Sequence, residues 1–273
     1  MARPIPPHAR AARNRLAGSC NQPAGAGNTG WSGRVVAGMR IEIWSDVVCP
    51  WCYIGKRRLE AALAGFAHRD QVEVVYRSFE LDPSAPRHGD EPTLATLARK
   101  YGRSETEMRQ MMQHVVDTAA GEGLEFRLFD NVHTNTVDAH RLLHLALDAG
   151  GPALQRELKE ALLAAYFVRA ENVGDHEVLA RVAVDAGLDP ARVAAVLSDG
   201  EYTEQVRADV DQARAYGATG VPFFVVDGRF GVSGAQPTEV FTQVLEQAWS
   251  AAHPVLQGLG GDAEACGPDG CAI

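Results

Sequence analysis

The chain has 273 residues, of which 46% are hydrophobic and 22% charged, and its formal net charge at pH 7 is −9. This length fills one large domain or two ordinary ones, and the acidic balance argues against a nucleic-acid partner, because phosphate binding usually needs a basic face. No apolar run approaches the roughly 18 residues that a membrane-spanning helix needs.

Residues 1–38 differ in composition from the rest of the chain. They carry five arginines and no acidic residue, whereas the remaining 235 residues hold 21 basic and 35 acidic groups. They also lack the apolar segment of roughly 7–15 residues that a secretory signal contains. Two interpretations stay open: a disordered basic extension, or an over-long translation start with Met39 as the true first residue. In either case the missing export signal predicts a cytoplasmic protein.

The next segment predicts a strand, a helix and a second strand. Residues 40–45 (RIEIWS) alternate in polarity and are rich in β-branched and aromatic side chains, as strands are. Pro50 suits the first turn of the following helix, where its missing N–H would be unpaired anyway. Residues 72–79 (VEVVYRSF) predict the second strand. Cys49 and Cys52 therefore lie at a strand-to-helix junction.

Residues 91–217 have the pattern of an all-helical block. Ser104 and Glu107 form a capping box, and Asp189–Pro190 supplies an N-cap followed by a proline at the first helical position. The block predicts about six or seven helices, among them 134–149, 152–170 and 203–216.

Strand patterns return after the helical block. Residues 221–226 (VPFFVV) predict a strand, the Asp227–Gly228 dipeptide predicts a hairpin turn, and an amphipathic helix is predicted over 237–252. An α/β unit formed by 39–90 and 218–252 is thus interrupted by helices over 91–217. The Gly-rich residues 253–273 are predicted to be a flexible tail.

The cysteine pair suggests electron exchange. A thiol is nucleophilic only as the thiolate, whose free pKa is about 8.5, and a helix N-terminus favours a negative sulfur through its unpaired N–H groups and dipole. Cys49 is placed at such an N-terminus. Cys52 lies one turn further along, close enough to attack a mixed disulfide on Cys49. The spacing predicts Cys49 as the attacking thiol and Cys52 as the resolving thiol.

Two other uses of the pair are less favoured. A zinc site needs two further ligands, and Cys266 and Cys271, four residues apart in a flexible tail, are poor candidates. A structural disulfide across so short a loop gains little chain entropy, and the cytoplasm would tend to reduce it. Redox chemistry is therefore favoured, and no metal ligands are predicted.

The motifs resemble those of a known family. DVVCPWCYIGK, GVPFFVVDGRFGVSGAQP about 170 residues later, and NTVDAHRLLHLA in the helical block are similar to the DsbA-like thioredoxin superfamily, and more narrowly to its FrnE-like branch. The resemblance covers about residues 40–250. It implies an α/β, thioredoxin-like fold with an inserted all-helical domain, in agreement with the organisation described above.

The resemblance also implies a substrate loop. In that family a cis-proline faces the cysteines, and the matching bond here is Val221–Pro222. The exposed Val221 backbone is expected to pair with a substrate peptide, and Trp51, inside the cysteine loop, is expected to shield the sulfurs and contact substrate. An ordinary trans proline opening an edge strand remains the alternative.

Proton handling is one departure from the family pattern. Thioredoxins and their relatives often carry a buried acidic residue six positions before the first cysteine, and here that position is Ile43. Regular alternation would point the nearby Glu42 and Asp46 to the opposite side of the strand. His140 and His144 share one helix face, which is expected to pack near the active site rather than to bind a metal.

Cys266 and Cys271 form a candidate second redox pair. The intervening residues, which include Gly267 and Gly270, allow the tight turn that a disulfide requires. One hypothesis is a mobile arm that shuttles electrons to Cys49 and Cys52, and the alternative is an idle tail.

Three classes of function follow from these features. The leading hypothesis is a cytoplasmic thiol–disulfide oxidoreductase or isomerase acting on protein or small-thiol disulfides, with glutathione as a candidate partner and no bound organic cofactor. The second is a glutathione-dependent small-molecule enzyme of the kappa-class transferase or hydroxychromene-carboxylate isomerase type, although that group uses a serine where Cys49 stands. The third is a non-catalytic zinc or chaperone-like binder.

Overall fold

The computed structural model describes residues 38–87 and 89–254. Within them lie the strands β1 (Met39–Ser45), β2 (Val72–Ser78), β3 (Phe223–Val226) and β4 (Phe230–Ser233). The helices are α1 (Pro50–Gly65), α2 (Thr93–Tyr101), α3 (Glu105–Gly121), α4 (Val137–Phe167), α5 (His176–Asp185), α6 (Pro190–Asp199), α7 (Thr203–Ala215) and α8 (Thr238–Ala252). The predicted extension and the Cys266/Cys271 pair lie outside the described residues.

The strands form a mixed sheet in the order β2-β1-β3-β4. β1 pairs in parallel with β2 and antiparallel with β3, while β3 and β4 form an antiparallel hairpin. Asp227 and Gly228 both have positive φ, 50° and 65°, and the Arg229 N–H donates to the Val226 carbonyl at 3.0 Å. This is the turn geometry that Asp-Gly favours, so the predicted hairpin is confirmed.

The helices α2 to α7 all lie between β2 and β3 in the chain, as the sequence predicts. The Ser104–Glu107 capping box is present, and the Asp189 side chain accepts the N–H of Arg192 at 2.9 Å. The helices predicted over 134–149 and 152–170 form the two halves of α4, which is broken at Gly151, where φ is 68°. The thioredoxin-like fold with helices inserted is thereby confirmed.

Two apolar cores hold these elements together. One lies on the sheet face that α1 and α8 cover, and its buried side chains include Ile41, Leu59 and Phe241. The other lies among the inserted helices and extends to Tyr53 and Ile54 of α1. Helix α1, which carries the cysteines, is therefore packed on both sides. No helix within the described residues combines the length and the apolar character that crossing a bilayer would require.

The free edge of β2 is closed by side chains from the inserted helices. The Gln155 amide accepts the Tyr76 N–H at 2.8 Å and donates to the Tyr76 carbonyl at 2.9 Å. Asp209 accepts the Ser78 N–H at 2.8 Å. Because the edge of a sheet exposes unpaired backbone groups, the Gln155 bonds fix α4 against the sheet and the Asp209 bond fixes α7 there. The Gln155 bonds also determine the position of the next turn of α4.

Candidate active site

The cysteine pair lies where strand β1 gives way to helix α1. β1 ends at Ser45, and Cys49 is the N-cap of α1 with Pro50 at the first helical position. The Cys52 N–H donates to the Cys49 carbonyl at 3.0 Å, which closes the first turn. Both cysteines are free thiols with 3% of their surface exposed. The predicted strand-to-helix junction is confirmed.

The loop before β3 approaches the same helix end. The Val221–Pro222 peptide bond is cis, as the family resemblance implies, and the Cys49 Sγ lies 3.5 Å from the Val221 carbonyl oxygen. Gly55 allows this approach, since a Cβ there would lie 3.1 Å from the Pro222 Cγ. Cys49 and Val221, which are 172 residues apart in the chain, are thus in van der Waals contact.

A cavity of about 960 Å³ opens on one side of the pair, and Cys49, Trp51 and Val221 line it. Cys52 is not among the described residues of its wall. The remaining lining is mostly apolar and comes largely from α2 and α3, including Leu97, Tyr101, Met108, Met111, Met112 and Val115. Cys49 is therefore the sulfur that a bound molecule meets, and Cys52 lies behind it.

Buried polar groups also lie on the interior side of the pair. Asp46 contributes to the cavity wall and also faces this interior. Its carboxylate has no exposed surface and accepts the N–H groups of Val47 at 2.7 Å and of Leu81 at 2.8 Å. His140 Nε2 lies 3.2 Å from the same carboxylate. Burial raises the pKa of Asp46, but the bond to His140 and the His140 charge outweigh burial and leave the pKa below its usual value.

Asp46 lies just beyond the strand on which its orientation was predicted. Regular alternation would place it on the side opposite Ile43, but β1 ends at Ser45, so the alternation does not extend to Asp46. Asp46 lies close enough to the pair for its charge to raise the pKa of Cys49. Glu42 does stay on the strand, where it accepts Arg77 at 2.6 Å.

Lys159 of α4 is the second buried charge on this side. Its side chain has no exposed surface, and its Nζ donates to the Ser45 carbonyl at 3.3 Å and lies 5.6 Å from the centre of the Tyr76 ring. No carboxylate among the described residues forms an ion pair with it. Burial lowers its pKa to about 8, opposed in part by the negative charges of Cys52 and Asp46.

The pKa values of the two thiols depend on each other. Burial raises the pKa of Cys52, but the interaction with Cys49, the charge of Lys159 and the interaction with Ser45 outweigh burial and lower it. The interaction with Cys52 and burial raise the pKa of Cys49. Cys52 is therefore the more acidic thiol of the reduced pair, whereas the helix position alone predicts Cys49. The difference arises because the Lys159 charge and the interaction with Ser45 act on Cys52.

The paired histidines of α4 are structural partners of acids. His140 binds Asp46, and His144 Nε2 lies 3.1 Å from an Asp209 carboxylate oxygen and 3.2 Å from the Ser78 hydroxyl. Within residues 38–87 and 89–254, no group of three or more His, Cys, Asp or Glu is arranged to hold a metal. The His-bearing face packs near the cysteines, as predicted.

Lys159 and Gly55 were not predicted from the sequence as site residues. Lys159 could have been found, because it falls on the apolar face of α4 with Leu158, Leu162 and Leu163, and all four side chains have no exposed surface. A lysine on such a face is a candidate for burial with a specific partner. Gly55 carries no such signal, because its neighbour Pro222 is distant in sequence.

Comparison with known proteins agrees with this geometry. A structure of a probable DsbA oxidoreductase from Streptomyces coelicolor is 51% identical, covers 86% of this chain and 99% of its own, and superposes with a TM-score of 0.74. The uncharacterized protein YwbO of Bacillus subtilis (strain 168) is 28% identical over 210 residues, which are 76% of this chain and 96% of that protein. The cytosolic disulfide reductase DsbM of Pseudomonas aeruginosa, in a structure with GSH, shares the fold at 17% identity and a TM-score of 0.55, over 77% of this chain and 98% of its own.

The family model of the DSBA-like thioredoxin domain matches residues 40–246, which include the cysteine pair, the inserted helices and the Val221–Pro222 loop. The chain belongs to the DSBA-like thioredoxin domain family.

Proposed function

We propose that this protein is a thiol–disulfide oxidoreductase or isomerase that exchanges electrons between Cys49–Cys52 and disulfide substrates, with no bound organic cofactor. The observation that carries the proposal is the placement of Cys49, a free thiol on the wall of a cavity with a second free thiol behind it. Membership of the DsbA-like family and the 51% identity to a probable DsbA oxidoreductase support the same reaction.

The reaction begins with the transfer of a proton from the Cys49 thiol to Cys52. When the proton of Cys49 moves to Cys52, the Cys49 thiolate attacks one sulfur of a substrate disulfide, and the other substrate sulfur leaves with the electron pair of the broken bond. Cys52 passes the proton to that leaving thiolate and attacks Cys49. The second substrate sulfur then leaves as a thiolate. The substrate disulfide gains two electrons, the cysteine pair becomes a disulfide, and proton and charge balance.

The substrate is held by the residues around Cys49. We assign the Val221 backbone and Pro222 to the wall against which an extended substrate lies, because the Val221 carbonyl is within 3.5 Å of the reacting sulfur. Trp51 and the methionines of α3 supply apolar contact on the opposite side. Thioether side chains adapt to differently shaped partners, which suits a site that accepts varied substrates.

The test compares wild type with Cys49→Ser and Cys52→Ser in insulin-disulfide reduction and in reactivation of scrambled ribonuclease. We expect Cys49→Ser to lose turnover, because no attacking sulfur borders the cavity. The matched control is Cys20→Ser, which replaces a cysteine that belongs to neither C-x-x-C position. Equal rates for wild type and Cys49→Ser would refute the proposal.

The cavity itself favours a second candidate function. Its volume of about 960 Å³ and its largely apolar wall are typical of small-molecule sites. A glutathione-dependent isomerase or transferase acting on an apolar compound would use this space and activate the thiol of glutathione instead of Cys49. Glutathione-dependent conversion that survives Cys49→Ser would select this second function.

We propose protein disulfides and small-thiol disulfides as substrates and the cytoplasm as the location. DsbM, which shares the fold, is named a cytosolic disulfide reductase and was determined with GSH. Fractionation of the native host, with the redox state of the pair trapped by acid and alkylation, tests the location. Recovery of the protein outside the cytoplasm would contradict it.

The pair Cys266–Cys271 is proposed as an electron carrier to the active-site pair. The double replacement Cys266→Ser/Cys271→Ser is expected to slow turnover while leaving the alkylation rate of Cys49 unchanged. Unchanged turnover and an unchanged reduction potential would show that the tail is idle.

A further inference from the structure

Lys159 is a buried cation that lacks the usual partner. Its ammonium has no exposed surface, one hydrogen bond to the Ser45 carbonyl and one aromatic ring nearby, and no ion pair with a carboxylate of the described residues. A buried charge without a counter-charge is costly. Lys56, the other buried lysine of this region, is bound by Glu60 and Glu160, both at 2.6 Å.

The fold directs the Lys159 ammonium to the loop that leads into the cysteine pair. Gln155, one turn earlier on α4, is bound to the backbone of β2, so the same helix face brings Lys159 to the end of β1, where it donates to the Ser45 carbonyl at 3.3 Å. Cys49 and Cys52 follow Ser45 by four and seven residues, and both are buried with Lys159. Among the negative charges that favour the Lys159 ammonium, that of Cys52 is the largest, ahead of Asp46 and Cys49.

We propose that Lys159 is the counter-charge of the Cys52 thiolate and that this ion pair biases the cysteine pair toward its reduced form. The inference rests on the thiol–disulfide exchange proposed above. In the reduced state one thiol proton and one negative charge are shared by the two sulfurs, and Lys159 is paired. On oxidation the proton and the negative charge leave on the two substrate sulfurs, and Lys159 becomes a buried ammonium without an anion.

The consequence is a stronger oxidant. Because the disulfide form contains the unpaired ammonium, it is destabilised relative to the dithiol form, and electrons flow more readily from substrate thiols to this protein.

The titratable groups around Lys159 come from three parts of the fold. Cys49, Cys52 and Lys56 face it from α1, Asp46 from the loop after β1, and Tyr76 from β2. Asp46 is held by His140 and two backbone amides. Its negative charge favours the Lys159 ammonium in both redox states, whereas the Cys52 charge is present in only one of them.

The test uses the full-length chain with Cys20, Cys266 and Cys271 replaced by serine, so that only the active-site pair titrates. In this background, Lys159→Met is equilibrated with glutathione redox buffers, and the dithiol fraction is measured by alkylation and mass spectrometry. We expect the equilibrium constant for reduction to fall about tenfold, which corresponds to a potential about 30 mV more negative. Lys159→Arg is expected to restore most of the loss.

Lys56→Met is the matched control, because it removes a buried ammonium one turn from Cys52 that is already bound by two carboxylates. We expect its equilibrium constant to stay within about threefold of the parent. Lys159→Gln provides a second neutral variant that keeps a donor for Ser45. A change below about twofold in both neutral variants, with circular dichroism unchanged, would overturn the inference.

A second readout isolates Cys52. The thiol is titrated by its thiolate absorbance in Cys49→Ser and in Cys49→Ser/Lys159→Met, with the three other cysteines replaced. We expect the titration to move to higher pH when the lysine is removed, and no movement would contradict the proposal. Neither measurement requires turnover. A chain inactive on disulfide substrates that still shows both shifts would refute the proposed function and keep the role of Lys159.

Discussion

The two sulfurs of the active-site pair face opposite environments. Cys49 borders a cavity with a mostly apolar wall to which α2, α3 and Trp51 contribute, whereas Cys52 is absent from that wall and lies within reach of the Lys159 charge, which lowers its pKa. The residues are three positions apart on one helix turn. The difference shows how one turn separates two requirements of disulfide exchange: access for the sulfur that meets substrate, and charge stabilisation for the sulfur that resolves it.

The largest expected effect comes from removing the interior sulfur. Cys52→Ser leaves no thiol to resolve the mixed disulfide, so we expect turnover to fall by about two orders of magnitude while a mixed disulfide on Cys49 accumulates. The pKa of Cys49 is raised mainly by its hydrogen bond to Cys52, and it should fall in this variant. Alkylation rates measured against pH check the shift. A Cys49 thiol that titrates at unchanged or higher pH would show that Cys52 does not raise its pKa.

A second expected effect concerns stability on the interior side. Lys159 has its pKa lowered from 10.5 to about 8, which corresponds to a cost on the order of 3 kcal/mol at pH 7. Lys159→Met removes this cost and loses one hydrogen bond worth about 1 kcal/mol. The reduced variant is therefore expected to be more stable than wild type by about 2 kcal/mol in urea unfolding.

The pH dependence of that difference has a definite sign. Between pH 8 and 10.5 the unfolded chain binds the Lys159 proton and the folded chain does not, so wild-type stability rises with pH in this window. The advantage of the methionine variant should be full below pH 8 and shrink above it. An advantage that grows with pH would show that Lys159 is not a depressed, buried amine.

The role of the cavity in substrate binding is tested by placing a charged side chain on its wall. Met111 lines the cavity and is 52% exposed, so Met111→Glu should leave the fold intact. We expect kcat/KM for an apolar disulfide peptide to fall about tenfold, a loss of about 1.4 kcal/mol, with iodoacetamide alkylation of Cys49 unchanged. Val184→Glu on α5, also exposed but absent from the cavity wall, is the control. Equal losses in both variants would remove the cavity from substrate binding.

The smallest expected effect comes from the contact between α1 and Pro222. Gly55→Ala adds a Cβ about 3.1 Å from the Pro222 Cγ, so the loop beside Cys49 must shift by a few tenths of an ångström. We expect turnover to fall a few-fold, while the helix preference for alanine, about 1 kcal/mol, offsets the stability cost. Gly65→Ala, at an open position of the same helix, should gain stability without loss of turnover. Full turnover in Gly55→Ala would show that disulfide exchange does not require the close contact between α1 and Pro222.

The sequence predicted the elements because their patterns are local. Strand alternation, the Ser104–Glu107 capping box and the Asp227–Gly228 turn depend on residues within a few positions of one another, and the structure confirms each. The environment of Asp46 was not predictable, because β1 stops pairing at Ser45. Beyond that point the Asp46 carboxylate is bound by the amides of Val47 and Leu81, and the second of these is 35 residues away in the chain.

By itself the sequence determined that two thiols stand three residues apart at the start of a helix, within an α/β unit interrupted by helices. Helix geometry then places residues with that spacing within one turn of each other. Only the tertiary structure decided which thiol is the more acidic and which one meets the Val221 loop, because Lys159 and the Val221 carbonyl are each more than 100 residues away along the chain from the Ser45 and Cys49 they contact. Packing of α4 and of the loop before β3 against the end of β1 brings them within a few ångströms, where electrostatic interactions in a buried site are strong.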